Sequence, residues 1–171
     1  VVLKKTGAQG VSWNICGVIK GNKWNKIKLK PAHGTETTLK IGVWSGTLKC
    51  DVPTAEGVRK GIFRIKTFDS ANNGILTAVV SEIYDSGYVA FPREMADGVI
   101  DSAGCFSEFT VFYGKMSLED PEFDRHFKEM SEEHEHRINW FIKSARHVLK
   151  KYGWDVYYIH WHWSDDVLHK Y

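Results

Sequence analysis

In the run Ile138-Asn139-Trp140-Phe141-Ile142-Lys143-Ser144-Ala145-Arg146-His147-Val148-Leu149-Lys150-Lys151-Tyr152-Gly153-Trp154-Asp155-Val156-Tyr157-Tyr158-Ile159-His160-Trp161-His162, the hydrophobic pattern changes its character at the glycine. Before it, Ile138, Phe141, Ile142, Ala145, Val148, Leu149 and Tyr152 fall on one stripe of an α-helix, suited to lie against a sheet. Glu132 and Glu133 suit the positive end of that helix, Lys150 and Lys151 its negative end, and Gly153 a left-handed cap. Two starts fit upstream, Ser117-Leu118-Glu119-Asp120-Pro121 and Ser131. After the glycine, Trp154–His162 is apolar and aromatic without alternation, as in a strand covered on both faces. Helix, glycine and buried strand make half of a βαβ unit, and open α/β sheets bind ligands beyond the carboxyl ends of their strands.

Working back toward the N-terminus, the pattern up to about residue 113 is β-like, with short runs of Val, Ile, Thr and aromatics between glycine and asparagine turns. Strands are expected at Val11–Lys20, Lys23–Leu29, Thr37–Trp44, Gly61–Phe68, Ile75–Ile83 and Phe109–Tyr113. Lys26-Ile27-Lys28-Leu29-Lys30 alternates, which gives one apolar face and one row of lysines before Pro31. Asp69-Ser70-Ala71-Asn72-Asn73-Gly74 closes a hairpin through its Asn-Gly. The expected fold class is therefore α+β, or mixed α/β: an antiparallel β region over 1–113, then a long amphipathic helix and a buried strand over 114–171.

The chain of 171 residues is too short for an eight-stranded α/β barrel and has too ordinary a composition, 43% apolar and 26% charged, for disorder. One domain, or one and a half, is expected. Cys16, Cys50 and Cys105 lie far apart with no Cys-x-x-Cys pair, which argues against a disulfide framework and for a reducing, cytoplasmic home. No apolar run of 18 residues exists and Val1-Val2-Leu3-Lys4-Lys5 is no signal peptide, so membrane insertion and export are not expected. A start at Val1 and an end at Tyr171, two residues past a suggestive motif, lead us to expect an internal piece of a longer polypeptide. Residues 1–60 hold eleven Lys/Arg against three acids, and residues 61–171 hold twelve against eighteen. A basic first third attracts phosphate-bearing partners, though a solvated lysine face would look the same.

The residues able to carry chemistry gather at the C-terminal end. Asp165 and His169 are four apart, so a helix beginning after the strand would bring both to one face, where they could grip a zinc or another divalent ion. Two ligands do not complete a site, and the remainder must come from elsewhere. His160 and His162 share one face of a strand and are secondary candidates, or satisfied core histidines. His134-Glu135-His136 points in opposite directions on a helix and reads as a solvated helix start. Thr54, in Val52-Pro53-Thr54-Ala55-Glu56-Gly57, is turn-like with no sign of activation. Lys20, Lys23, Lys26, Lys28 and Lys30 near Trp13, Trp24 and Trp44 offer the cations and stacking planes of single-strand nucleic-acid binders, although buried tryptophans explain the same residues.

The run from Val148 through Lys150-Lys151-Tyr152-Gly153-Trp154-Asp155 and the aromatic segment to Asp165-Asp166-Val167-Leu168-His169 resembles the type I phosphodiesterase and nucleotide pyrophosphatase branch of the alkaline phosphatase superfamily. The resemblance covers about a quarter of the chain, from His134 to Tyr171. It implies an alkaline phosphatase-like α/β core in which Asp165 and His169 ligate one of two divalent ions, usually zinc, that act on a phosphoester substrate. The branch's nucleophile, its first metal Asp, its later Asp-His pair and its last His have no matching motif here, so the rest of a parent polypeptide would supply them. Residues 1–113 would then be an inserted cap, with Lys26, Lys28 and Lys30 facing an anionic substrate. The alternative expectation is a non-catalytic β module that binds nucleic acid or another polyanion through its basic third.

Overall fold

The computed structural model describes residues 2–3, 11–20, 23–31, 36–70, 75–106, 119, 121 and 123–159. Nine strands and two helices are ordered along them: β1 (Val2–Leu3), β2 (Val11–Lys20), β3 (Lys23–Pro31), β4 (Thr37–Leu39), β5 (Leu48–Thr54), β6 (Gly57–Phe63), β7 (Ile65–Ser70), β8 (Ile75–Val80), β9 (Tyr84–Asp85), α1 (Ala96–Ala103) and α2 (Phe123–Tyr152). The content is mixed α+β, with every strand-to-strand ladder antiparallel and one long helix toward the C-terminus.

Three sheets carry the β region: β1-β2-β3-β4, β5-β6-β9 and the hairpin β7-β8. The alternation of Lys26 to Lys30 works as expected, since Ile27 and Leu29 are buried while Lys26, Lys28 and Lys30 are exposed. Between Val18 and Ile19 the register slips, pairing Val18 with Lys26 and Ile19 with Trp24. Asn25 is the extra residue, and this bulge lets Trp24 rejoin the apolar side despite its even spacing from Lys26. Ile27, Leu29, Leu39, Cys50, Phe63 and Ile65 form the main core between the sheets.

The stretch covered on both faces is Gly61–Thr67, where every residue is buried. Phe63 and Ile65 face the main core, and Ile62 faces a second cluster with Ile100 and Cys105. Arg64 and Lys66 face α2, where Glu133 and Glu132 receive them at 3.2 and 2.5 Å. The strand expected over Gly61–Phe68 is divided at Arg64 into β6 and β7, and its charges concealed its burial on both faces, because its buried cations are matched by carboxylates distant in sequence.

The buried strand expected over Trp154–His162 does not form in its described part. Residues 154–159 hold no strand, and Val156 and Tyr158 are 84% and 81% exposed. A strand needs a neighbour for its backbone groups, and no described strand lies beside this one. Gly153, at φ 73°, instead closes the helix through its N–H to Leu149 and turns the chain, so that Trp154 stacks on Tyr157 with ring centres 4.7 Å apart.

Helix α2 also presents a different face from the one its apolar stripe suggested. Ile138, Ile142, Leu149 and Tyr152 are 43–51% exposed, whereas Glu129, Met130, Glu133, His134 and Ser144 are buried. It begins at Phe123, so Glu132 and Glu133 lie well inside it and serve as ion-pair partners rather than as charges at its positive end. Ser131 is likewise interior, its hydroxyl donating to the Phe127 carbonyl. The expected strand Phe109–Tyr113 and the start at Ser117 lie outside the described residues.

Candidate functional site

Asp165, His169, His160 and His162 all lie outside the described residues. Among the described residues no group of three or more His, Cys, Asp or Glu is placed to hold a metal ion. Lys26, Lys28 and Lys30 are solvent-facing on β3, with Lys28 bound to Glu36 at 2.5 Å.

The densest polar cluster is one that sequence reasoning missed, and it joins β6, β7, α1 and α2. The Arg64 guanidinium is 3.2 and 3.5 Å from the Glu133 carboxylate oxygens and lies over the Trp44 ring at 4.8 Å. Its backbone N–H donates to Ser81 Oγ at 2.8 Å, and its carbonyl accepts from the Ser81 N–H at 2.9 Å. Burial draws the guanidinium down from its ordinary value, against the pull of Glu133. His136 Nε2 is 2.8 Å from the Cys105 carbonyl, and Trp140 Nε1 donates to the Gly104 carbonyl at 3.0 Å. Burial first, and then the charge of Arg64, lower the His136 basicity, so the ring is held neutral. The expected solvated helix start at His134-Glu135-His136 is thus a docking segment, with His134 itself buried.

A cysteine, a histidine and a glutamate in one cluster invite a nucleophile reading, and the geometry rejects it. His136 meets the Cys105 carbonyl rather than its sulfur, and Cys105 Sγ lies 3.0 Å from the Phe106 carbonyl. Burial pushes the Cys105 thiol up to about 12, where no thiolate exists at neutral pH. Cys50 is pushed by burial to about 11. Native protein is therefore expected to show one reactive thiol, the exposed Cys16, toward a disulfide reagent, and all three after unfolding. Rapid native labelling of Cys105, located by peptide mapping, would contradict its burial.

Two further surfaces complete the region. A groove of 510 Å³ lies between the β5–β6 hairpin and α1, lined by Lys49, Asp51, Lys60, Ser86 and Asp97 among others. Its lysine and aspartate charges largely cancel, as Lys60 pairs with Asp51 at 2.5 Å. Beside it, Tyr88 is flanked by the guanidinium groups of Arg93 at 4.0 Å and Arg59 at 5.4 Å, and Arg59 is itself paired with Asp85 and Glu56. Thr54 makes an ordinary turn, its hydroxyl donating to the Gly57 carbonyl at 2.7 Å.

No protein-family model matches the chain, and neither a curated protein nor a solved structure matches it significantly. Among the described residues no helix is long and apolar enough to cross a membrane.

Proposed function

We propose that the chain is part of a metal-dependent phosphoester hydrolase of the type I phosphodiesterase and nucleotide pyrophosphatase kind. In this reading Asp165 and His169 hold one of two zinc ions, the parent polypeptide supplies the nucleophile and the other ligands, and residues 1–113 form a cap beside the substrate. The ions act by stabilising the attacking and leaving oxygens of the phosphoester.

The observation that carries the reading is the second face of α2. Its polar, inner face is already occupied by β7 and α1 through Glu132, Glu133, His136 and Trp140, yet Ile138, Ile142, Leu149 and Tyr152 remain at the surface. In the sequence that stripe is followed by exposed Val156, Tyr157, Tyr158 and Ile159, immediately before the Asp-x-x-x-His spacing. Exposed apolar residues in this number fit a face that meets a partner surface. An alkaline phosphatase-like sheet laid on α2 would cover it, and pairing with neighbouring strands would give the aromatic segment the strand conformation it lacks alone. Three free thiols, two of them buried, fit a reducing cytoplasmic setting.

The test is hydrolysis of a chromogenic phosphodiester by the complete parent protein with added zinc or manganese. Asp165→Ala and His169→Ala are each expected to reduce the rate by roughly 100-fold or more, since even outer partners of metal ligands are worth about 10–100-fold. Full activity in both variants, or no hydrolysis by the unaltered protein, overturns the reading.

A further inference from the structure

The sheet β1–β4 has one face in the core and one in water. The register sets Asn14 opposite Lys30, Cys16 opposite Lys28 and Val18 opposite Lys26, with Thr38 opposite Lys28 on the other side, so these residues share the outer face. Glu36 is the acid that reaches this row, through Lys28, and Lys26 and Lys30 form no ion pair among the described residues. Exposed Lys20 and Lys40 add to the same positive field.

We infer that this face binds single-stranded nucleic acid through its phosphates. Lysines on alternate residues of a strand repeat at about 6.8 Å. That repeat runs in a straight line, as do the successive phosphates of an extended, unstacked strand. A duplex winds its successive phosphates around the helix axis, so they curve away from a straight row of three. Two of the tryptophans that the sequence offered as stacking planes are committed elsewhere: Trp24 packs where a Gly17 side chain would be, and Trp44 lies under Arg64. Recognition is therefore electrostatic and indifferent to base sequence. It does not depend on the metal pair, because neither Asp165 nor His169 takes part, although it uses the lysines that the resemblance sets facing an anionic substrate.

Fluorescence anisotropy of the full chain with a labelled oligothymidylate, in EDTA, measures this directly. The slope of log K against log salt is expected near −2, from three lysine–phosphate contacts at about −0.7 each. The triple variant Lys26→Gln, Lys28→Gln, Lys30→Gln should bring the slope near zero and weaken binding at least tenfold at about 20 mM salt. Lys49→Gln with Lys60→Gln, an equal class of charge change on the β5–β6 sheet, should leave binding unchanged. Should the triple variant fail to fold by circular dichroism, Lys26→Gln and Lys30→Gln singly should each flatten the slope by about 0.7. The inference is overturned by absent binding at low salt, by equal or tighter binding of a duplex, by a triple variant that binds normally, or by equal losses in the β5–β6 control. Binding to phosphatidylserine vesicles without binding to the oligonucleotide would overturn it in favour of a membrane surface. EDTA removes any metal dependence, so failure here leaves the phosphodiesterase assay unaffected.

Discussion

Glu133→Ala is expected to lower the unfolding free energy by about 3–5 kcal/mol, the cost of leaving one member of a buried ion pair without its partner. Arg64 has nowhere to take its charge. Its side chain is 8% exposed, its backbone is locked on both sides to Ser81, and its guanidinium is stacked on Trp44. Glu132 also attracts the Arg64 charge, but it is paired with Lys66 two residues along and compensates only in part. Replacing both members by apolar residues of similar volume, Arg64→Met with Glu133→Leu, should recover most of the loss, because a buried pair is rarely worth more than good packing. Urea denaturation of the three variants measures the cycle. A Glu133→Ala cost below about 1 kcal/mol would mean that the pair does not fasten α2 to the β region.

Phe63→Ala should cost a similar amount, about 3–5 kcal/mol, for a different reason. Phe63 is 1% exposed and sits in the main core with Ile27, Leu29, Leu39 and Ile65. It is the last residue of β6, and the chain crosses to β7 at Arg64, so its ring lies where the two sheets meet the lysine-bearing sheet. Removing the ring forfeits its transfer from water and leaves a cavity that strands fixed by their ladders are poorly able to close. Phe63→Leu, which keeps most of the volume, should cost clearly less. Equal costs for the two variants would show that this core tolerates collapse.

Much of the β region was legible because its strands follow local rules. Val11–Lys20 was read with its true limits, Lys26 to Lys30 alternated as the structure does, and the expected hairpin shows in the pairing of Ser70 with Ile75, while residues 71–74 lie outside the described residues. Two things were hidden. Gly61–Phe68 was read as a strand, but its burial on both faces was not, since the carboxylates that meet Arg64 and Lys66 lie nearly seventy residues away. Helix α2 announced its apolar stripe while burying a face that includes Glu133, His134 and Ser144, because buried polar groups with partners pack as well as apolar ones. One missed element was readable: Ala96, Val99, Ile100 and Ala103 fall at helical spacing and are the buried residues of α1. Of the candidate site, only the lysine row falls on described residues. The Arg64, Glu133 and His136 cluster had no sequence signal, as it draws on positions from Trp44 to Trp140.

The proposed hydrolase reading rests on Asp165 and His169 as metal ligands. Zinc content of the complete parent protein after equilibrium dialysis tests that reading most directly. Two ions per chain are expected, falling to one in Asp165→Ala and in His169→Ala. An unchanged metal content in both variants, or none in the unaltered protein, would contradict the account.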